Sequence, residues 1–158
     1  ANTCTVIVQH MPETVGDDSG VLTVGAAGIS SVTGTITSRG ISAFQHTNTT
    51  GVGYTENTVS FGSVAVGAFS GPATLTFLNQ TDPSTGVMTY SIEGPNAADF
   101  DVYLDNISGG VFARGGGGNI QVLFVPSASA PATRTATLVI TDGTGEKTVR
   151  VTLTGTGT

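Results

Sequence analysis

Alternation with a period of two, broken every few residues by glycine or proline, is the feature that most limits what this chain can fold into. Toward the C-terminus Ala136, Leu138 and Ile140 alternate with Thr135, Thr137 and Val139, and Val149, Val151 and Leu153 alternate with Arg150, Thr152 and Thr154. A period of two puts every second side chain on one face of an extended strand, whereas a helix would scatter the same residues around its circumference. β-Branched residues fill the apolar positions, and 23 Gly and 6 Pro interrupt nearly every window long enough for three helical turns. The chain is therefore expected to be all-β.

Shorter runs upstream repeat the pattern. Leu75, Phe77 and Asn79 share one parity, and Ile120, Val122 and Phe124 share another before Pro126 ends the run. Asp142-Gly143-Thr144-Gly145 separates the last two strands, and Asp-Gly tolerates the positive φ angles of a tight turn. Residues 134–154 are thus predicted to form an antiparallel pair with one buried and one solvated face. Before about residue 56 the strand candidates are 5–9, 21–24, 31–37 and 41–44, set among Gly, Ser and Thr. Large apolar side chains are few there. That segment is expected to pack on the rest of the chain or to complete itself against a neighbouring subunit.

From residue 58 onward a series of motifs runs in order: Val59-Ser60-Phe61-Gly62-Ser63-Val64-Ala65-Val66-Gly67, Leu75-Thr76-Phe77-Leu78-Asn79 and Gly94-Pro95-Asn96-Ala97-Ala98-Asp99-Phe100, then Val122-Leu123-Phe124-Val125-Pro126, Arg134-Thr135-Ala136-Thr137-Leu138 and Val151-Thr152-Leu153-Thr154-Gly155-Thr156-Gly157. The series resembles the abnormal-spindle, SPD-2 and hydin family of domains, known in bacterial surface proteins as choice-of-anchor D repeats. The resemblance implies an immunoglobulin-like antiparallel β-sandwich, with Phe100 buried and Asp99 outside. Short alternating strands separated by turns fit that expectation. Two stretches depart from the pattern: the polar Thr81-Asp82-Pro83-Ser84-Thr85-Gly86 connection, and Gly115 to Gly118, read as a flexible approach to the next strand. The expected division is a β-rich Gly/Ser/Thr segment over residues 1–57, with a subunit-docking role, and the sandwich over 58–158.

Charge narrows the function classes. Charged residues make up 10% of the chain, against roughly 25% in ordinary domains. The five cations, Arg39, Arg114, Arg134, Lys147 and Arg150, are scattered singly and form no stripe able to follow a phosphate backbone, so nucleic-acid binding is not expected. Mean hydropathy is +0.20, yet no apolar run approaches the roughly 20 residues that cross a bilayer, so membrane insertion is not expected either. The chain opens without the basic and apolar regions of a secretory signal, which is expected to have been removed or never to have existed. Cys4 is the single cysteine, which excludes an intrachain disulfide.

No catalytic, cofactor-binding or metal-binding residue is expected. Asp17, Asp18, Ser19 and Gly20 look like the surroundings of a protease serine, but residues of this kind are ordinary turn formers. Cys4 and His10, alone or with Glu13, lack an orienting third group, and His46 reads as a polar loop residue. Asp99, Asp101 and Asp105 lack the spacing of a calcium loop. The four glycines at 115–118 lack the Lys and Ser/Thr of a phosphate cradle. Acceptor patterns for glycosylation at Asn48, Asn79 and Asn106 arise easily in a Thr-rich chain.

The functional expectation is a non-enzymatic structural protein making protein–protein contacts with a capsid shell or like subunits, as a multimeric decoration or cement protein at a virion surface. A secreted bacterial cell-surface or fibre subunit, polymerising by strand exchange through residues 1–15, is the alternative. A carbohydrate- or partner-binding module is the third reading. With no Trp, its platforms would be Tyr54, Tyr90 and Tyr103.

Overall fold

The structure, a computed structural model, describes residues 5–8, 16–25, 28, 30–40, 44–55, 57–129, 133–144 and 147–158. Strand dominates the described residues, and their one helical element is a single 3-10 turn, Ala97–Asp99. Two compact units divide the chain, Ala1–Ser42 and Ala43–Thr158.

The first unit is an antiparallel hairpin of β1 (Gly16–Val24) and β2 (Val32–Gly40), in unbroken register from Gly16↔Gly40 to Val24↔Val32. It contains the expected strands at 21–24 and, for the most part, 31–37. The expected strand at 5–9 is not formed: residues 5–8 pair with nothing as strand, and Gln9 lies outside the described residues.

The second unit is an immunoglobulin-like sandwich. Its strands are β3 (Phe44–Thr50), β4 (Gly53–Thr55), β5 (Thr58–Val64), β6 (Ala73–Asn79), β7 (Thr89–Glu93), β8 (Phe100–Asp105), β9 (Gly117–Phe124), β10 (Thr133–Thr141) and β11 (Thr148–Gly157). One sheet runs β3-β6-β9-β8 and the other β4-β5-β11-β10-β7. In immunoglobulin terms β3, β6, β9 and β8 are A, B, E and D, while β11, β10 and β7 are G, F and C. β5 lies parallel to β11, so the first strand passes from one sheet to the other between β3 and β5. The sandwich unit therefore begins at Ala43 rather than after residue 57. The expected strand at 41–44 meets its first strand only at Phe44, residues 41–43 lying outside the described residues, and the rest was hidden because only Phe44 and His46 of that polar run turn inward.

The alternation read from sequence becomes the core. Leu75 and Phe77 of β6, Ile120, Val122 and Phe124 of β9, Leu138 and Ile140 of β10, and Val151 and Leu153 of β11 are all fully buried. Each such side chain contributes about 1.5–3 kcal/mol of apolar burial. Phe61, Phe100 and Phe124 meet at centroid distances of 5.0–6.1 Å near one end, and Phe44 stacks on Phe77 at 6.1 Å near the other. The β10–β11 hairpin pairs Thr133↔Thr156 through Thr141↔Thr148, as the sequence predicts.

The glycine run is not a flexible connection. Gly115, with φ +80°, makes the turn, and Gly117 and Gly118 are already in β9 opposite Leu78 and Phe77. A Cβ on Gly117 would overlap the Phe77 carbonyl oxygen, and one on Gly118 the Asn106 carbonyl oxygen. Glycine is required there by close backbone approach.

Candidate functional site

Residues singled out in the sequence fall apart in space or serve the scaffold. Cys4, His10 and Glu13 lie outside the described residues. Asp17, Asp18, Ser19 and Gly20 do not form a turn; they are exposed strand residues on β1, and the Ser19 amide donates to its neighbour Asp18 Oδ1 at 2.9 Å. His46 is not in a loop. It stands on β3, 9% exposed, with Nε2 2.7 Å from Thr49 Oγ1, Nδ1 3.4 Å from Asn57 Oδ1, and its ring 5.2 Å from that of Phe77.

Asp99 is not outside. It is 2% exposed, its Oδ2 is 3.4 Å from Arg134 Nε, and its Oδ1 accepts the Ser127 amide at 3.0 Å. The Phe100 expectation holds, at 5% exposure. Asp101 is exposed on β8, and Asp105 accepts the amides of Ile107 and Ser108 at 2.8 and 3.0 Å. Partial burial pushes the Asp105 carboxyl up, but those amides and the Ser108 hydroxyl outweigh it and hold the group below the usual carboxylate range. The three aspartates thus do not converge, and among the described residues no three His, Cys, Asp or Glu side chains gather as a metal site.

Asn79 is fully buried, Asn106 is bonded to Asn119 Oδ1 at 2.8 Å, and the Asn48 side chain is outside the described set. Tyr90 lies on β7 and Tyr103 on β8, the edge strands of different sheets; the Tyr54 side chain is outside the described set.

Two buried cations escaped the sequence reading. Lys147, 5% exposed, donates from Nζ to Asn79 Oδ1 at 3.1 Å, Thr81 Oγ1 at 3.2 Å and the Thr81 carbonyl at 3.4 Å. Arg134 is likewise 5% exposed. The signal was in the parity: Arg134 is in phase with Ala136 and Leu138, and Lys147 with Val149 and Val151, so both had to point inward and find acceptors. Asp142 closes the Lys147 end. Burial raises its carboxyl, and the Thr144 hydroxyl and amide with the Gly86 and Lys147 amides lower it further, leaving it below the usual range.

Two patches of the remaining surface are apolar. On the sandwich, Phe69 and Tyr103, 74% and 69% exposed, border a shallow groove of about 460 Å³ with Pro72 and Leu123. On the hairpin, Val21, Val24 and Val32 are 70%, 43% and 72% exposed, and no described residue before Phe44 is buried. A two-stranded hairpin is marginally stable at best by itself in water.

No protein-family model matches the chain, and no curated protein matches it in sequence. Among solved structures it is similar to the secreted serine protease VesC from Vibrio cholerae, at 17% identity and a TM-score of 0.45 over 62% of this chain and 21% of that one. It is also similar to the ASH / PapD-like domain of human CEP192 (PapD-like domain 7), at 14% identity and 0.46 over 74% and 86% of the two chains. A FixG-related protein from Vibrio parahaemolyticus matches at 21% identity and 0.42, over 55% and 77%. The chain spans only about a fifth of VesC, and none of these likenesses assigns an activity.

Proposed function

We propose that the chain is a non-enzymatic structural module of a multi-copy assembly, a decoration or cement protein at a virion surface, which displays the sandwich and docks through its N-terminal unit. The observation that carries this reading is the β1–β2 hairpin, whose valines are exposed and in which no described residue is buried. A hairpin of this kind orders when a neighbouring subunit covers it. Low charge suits copies packed side by side, where long charged side chains would have to be desolvated. The sandwich, in turn, is read as a module of the abnormal-spindle, SPD-2 and hydin kind. The six motifs support that reading by falling in order on β5, β6, the 3-10 turn, β9, β10 and β11.

A fibre subunit at a bacterial surface is the second reading, favoured by the run Thr5-Val6-Ile7-Val8, in which Val6, Ile7 and Val8 are 52%, 88% and 50% exposed. Such a run is suited to adding a strand to another copy. Mixing the purified full chain with shells that lack it separates the two. A decoration protein stays soluble alone, binds the preformed shell, and loses binding in Val24→Asp with Val32→Asp. A chain that polymerises unaided, and stops when residues 1–15 are removed, is a fibre subunit instead.

A further inference from the structure

We infer that the hairpin's apolar face pairs with the same face of a second copy about a two-fold axis parallel to its strands; the inference rests on the reading of the N-terminal unit as the docking element. Residues directly opposite in an antiparallel pair share a face, as do residues two apart along a strand. Beyond the Gly16–Gly40 end, one face of the hairpin therefore carries four rungs: Asp18 with Ser38, Gly20 with Ile36, Leu22 with Gly34, and Val24 with Val32. The other face carries Ser19, Thr23, Thr33, Thr35 and Thr37 around Val21. The first face is the apolar one.

Its relief is a checkerboard. In each central rung one bulky residue stands beside a glycine, and the bulky positions lie on a diagonal. A Cβ on Gly20 or on Gly34 would meet nothing within 4 Å, so both are open depressions. At the Gly20 corner the depression widens into a groove of about 290 Å³ bordered by Val8, Leu22 and Ile36. Leu22 and Ile36 are half-buried, whereas Val24 and Val32 are exposed.

Rotation about an axis along the strands exchanges the two strands and keeps each rung at its own level. Ile36 of one copy then enters the Gly20 depression of the other, and Leu22 enters that of Gly34. Val24 meets Val32, and Asp18 meets Ser38 at the polar end. A two-fold axis across the strands would also place knobs over holes in the two central rungs, but it would set Val24 against Asp18 and desolvate a carboxylate on an aliphatic surface. The pattern of polarity selects the first axis. Isologous pairing of this kind is the commonest closed symmetry, and the glycines allow the sheets to approach closely.

The face is narrow, so the pairing is a weak one that gains from many copies in an assembly. Equilibrium sedimentation of the full chain, from about 10 μM to about 1 mM, should show a reversible dimer. Gly34→Leu fills the depression that receives Leu22 and should weaken dimerisation at least about tenfold, in the range of overpacked contacts. Leu22→Gly combined with Gly34→Leu reverses the rung and should restore it under the strand-parallel axis alone. Thr35→Leu, on the opposite face, should leave it unchanged. A parent chain that stays monomeric across the range, a Gly34→Leu variant that dimerises like the parent, or a rung reversal that fails to rescue each overturns the pairing. A monomeric parent that still binds its assembly overturns the pairing and leaves the docking reading standing.

Discussion

Arg134 and Asp99 form an ion pair inside the sandwich, with Nε and Oδ2 3.4 Å apart and side-chain exposures of 6% and 3%. The pair joins β10 to the 3-10 turn that precedes β8. The Asp99 carbonyl also accepts the Val125 amide at 2.7 Å, and Arg134 donates to the Ala128 carbonyl. The carboxylate, which accepts the Ser127 amide, thus fixes the chain leaving β9, and the guanidinium the entry of β10.

Removing one member leaves the other charged and out of water. Asp99→Ala should cost about 3–5 kcal/mol of folding stability, while Asp99→Ala with Arg134→Met should recover much of that loss, because no buried charge is then left alone. Urea unfolding of the two single variants and the double variant gives the coupling directly. A loss under about 1 kcal/mol for Asp99→Ala would match a solvent-exposed pair and rule out this role.

Asn79 carries a second network, and its amide orientation is set from both sides. Nδ2 donates to the Phe112 carbonyl at 2.9 Å and the Pro83 carbonyl at 3.3 Å, while Oδ1 accepts from Lys147 Nζ and the Thr81 amide. Asn79→Asp would add a charge favourable to Lys147 but would turn a carboxylate oxygen toward two carbonyl oxygens. The repulsion should win, with a loss of about 2–4 kcal/mol by thermal or urea unfolding, since a buried acceptor cluster loses its donor. Equal or greater stability in the aspartate variant would show that the ion pair dominates the site.

The two networks mark where sequence reasoning stopped. Strands with apolar alternation, β6, β9, β10 and β11, were legible because burial alone specifies them. β3 was not, because its Gln45, Thr47 and Asn48 hide the two inward residues, Phe44 and His46, and its partner β6 is contacted only after the chain closes a long loop. The glycines at 117 and 118 looked like slack for the same reason: the neighbours that exclude a side chain, the Phe77 and Asn106 carbonyls, are distant in sequence. The outside position that the family resemblance implies for Asp99 takes no account of Arg134, whose inward parity is visible in the sequence and calls for a buried acceptor. The hairpin's checkerboard could not be read before the register of β1 and β2 was known, since a slip of one residue would set Leu22 opposite another neighbour and turn the faces over.

Acid should loosen the end of the sandwich closed by Asp142. Its carboxyl sits below the ordinary range in the folded chain: burial opposes ionisation, but the Thr144 hydroxyl and the Thr144, Gly86 and Lys147 amides favour it more strongly. A group whose pKa is lower folded than unfolded stabilises the fold at every pH above its unfolded value, about 3.9 for aspartate, and that contribution disappears as the pH falls through the folded value. Asp105, depressed by the Ser108 and Ile107 donors, adds a contribution of the same sign in the same window. The parent chain should therefore lose stability below about pH 4. Asp142→Asn should be less stable than the parent at pH 7, and the gap should narrow as both are taken to about pH 3. Urea midpoints of the two proteins measured across that range decide the matter. A gap that stays constant or widens toward low pH would mean that the amides around Asp142 serve a neutral acceptor equally well, and that the acid sensitivity of the sandwich lies elsewhere.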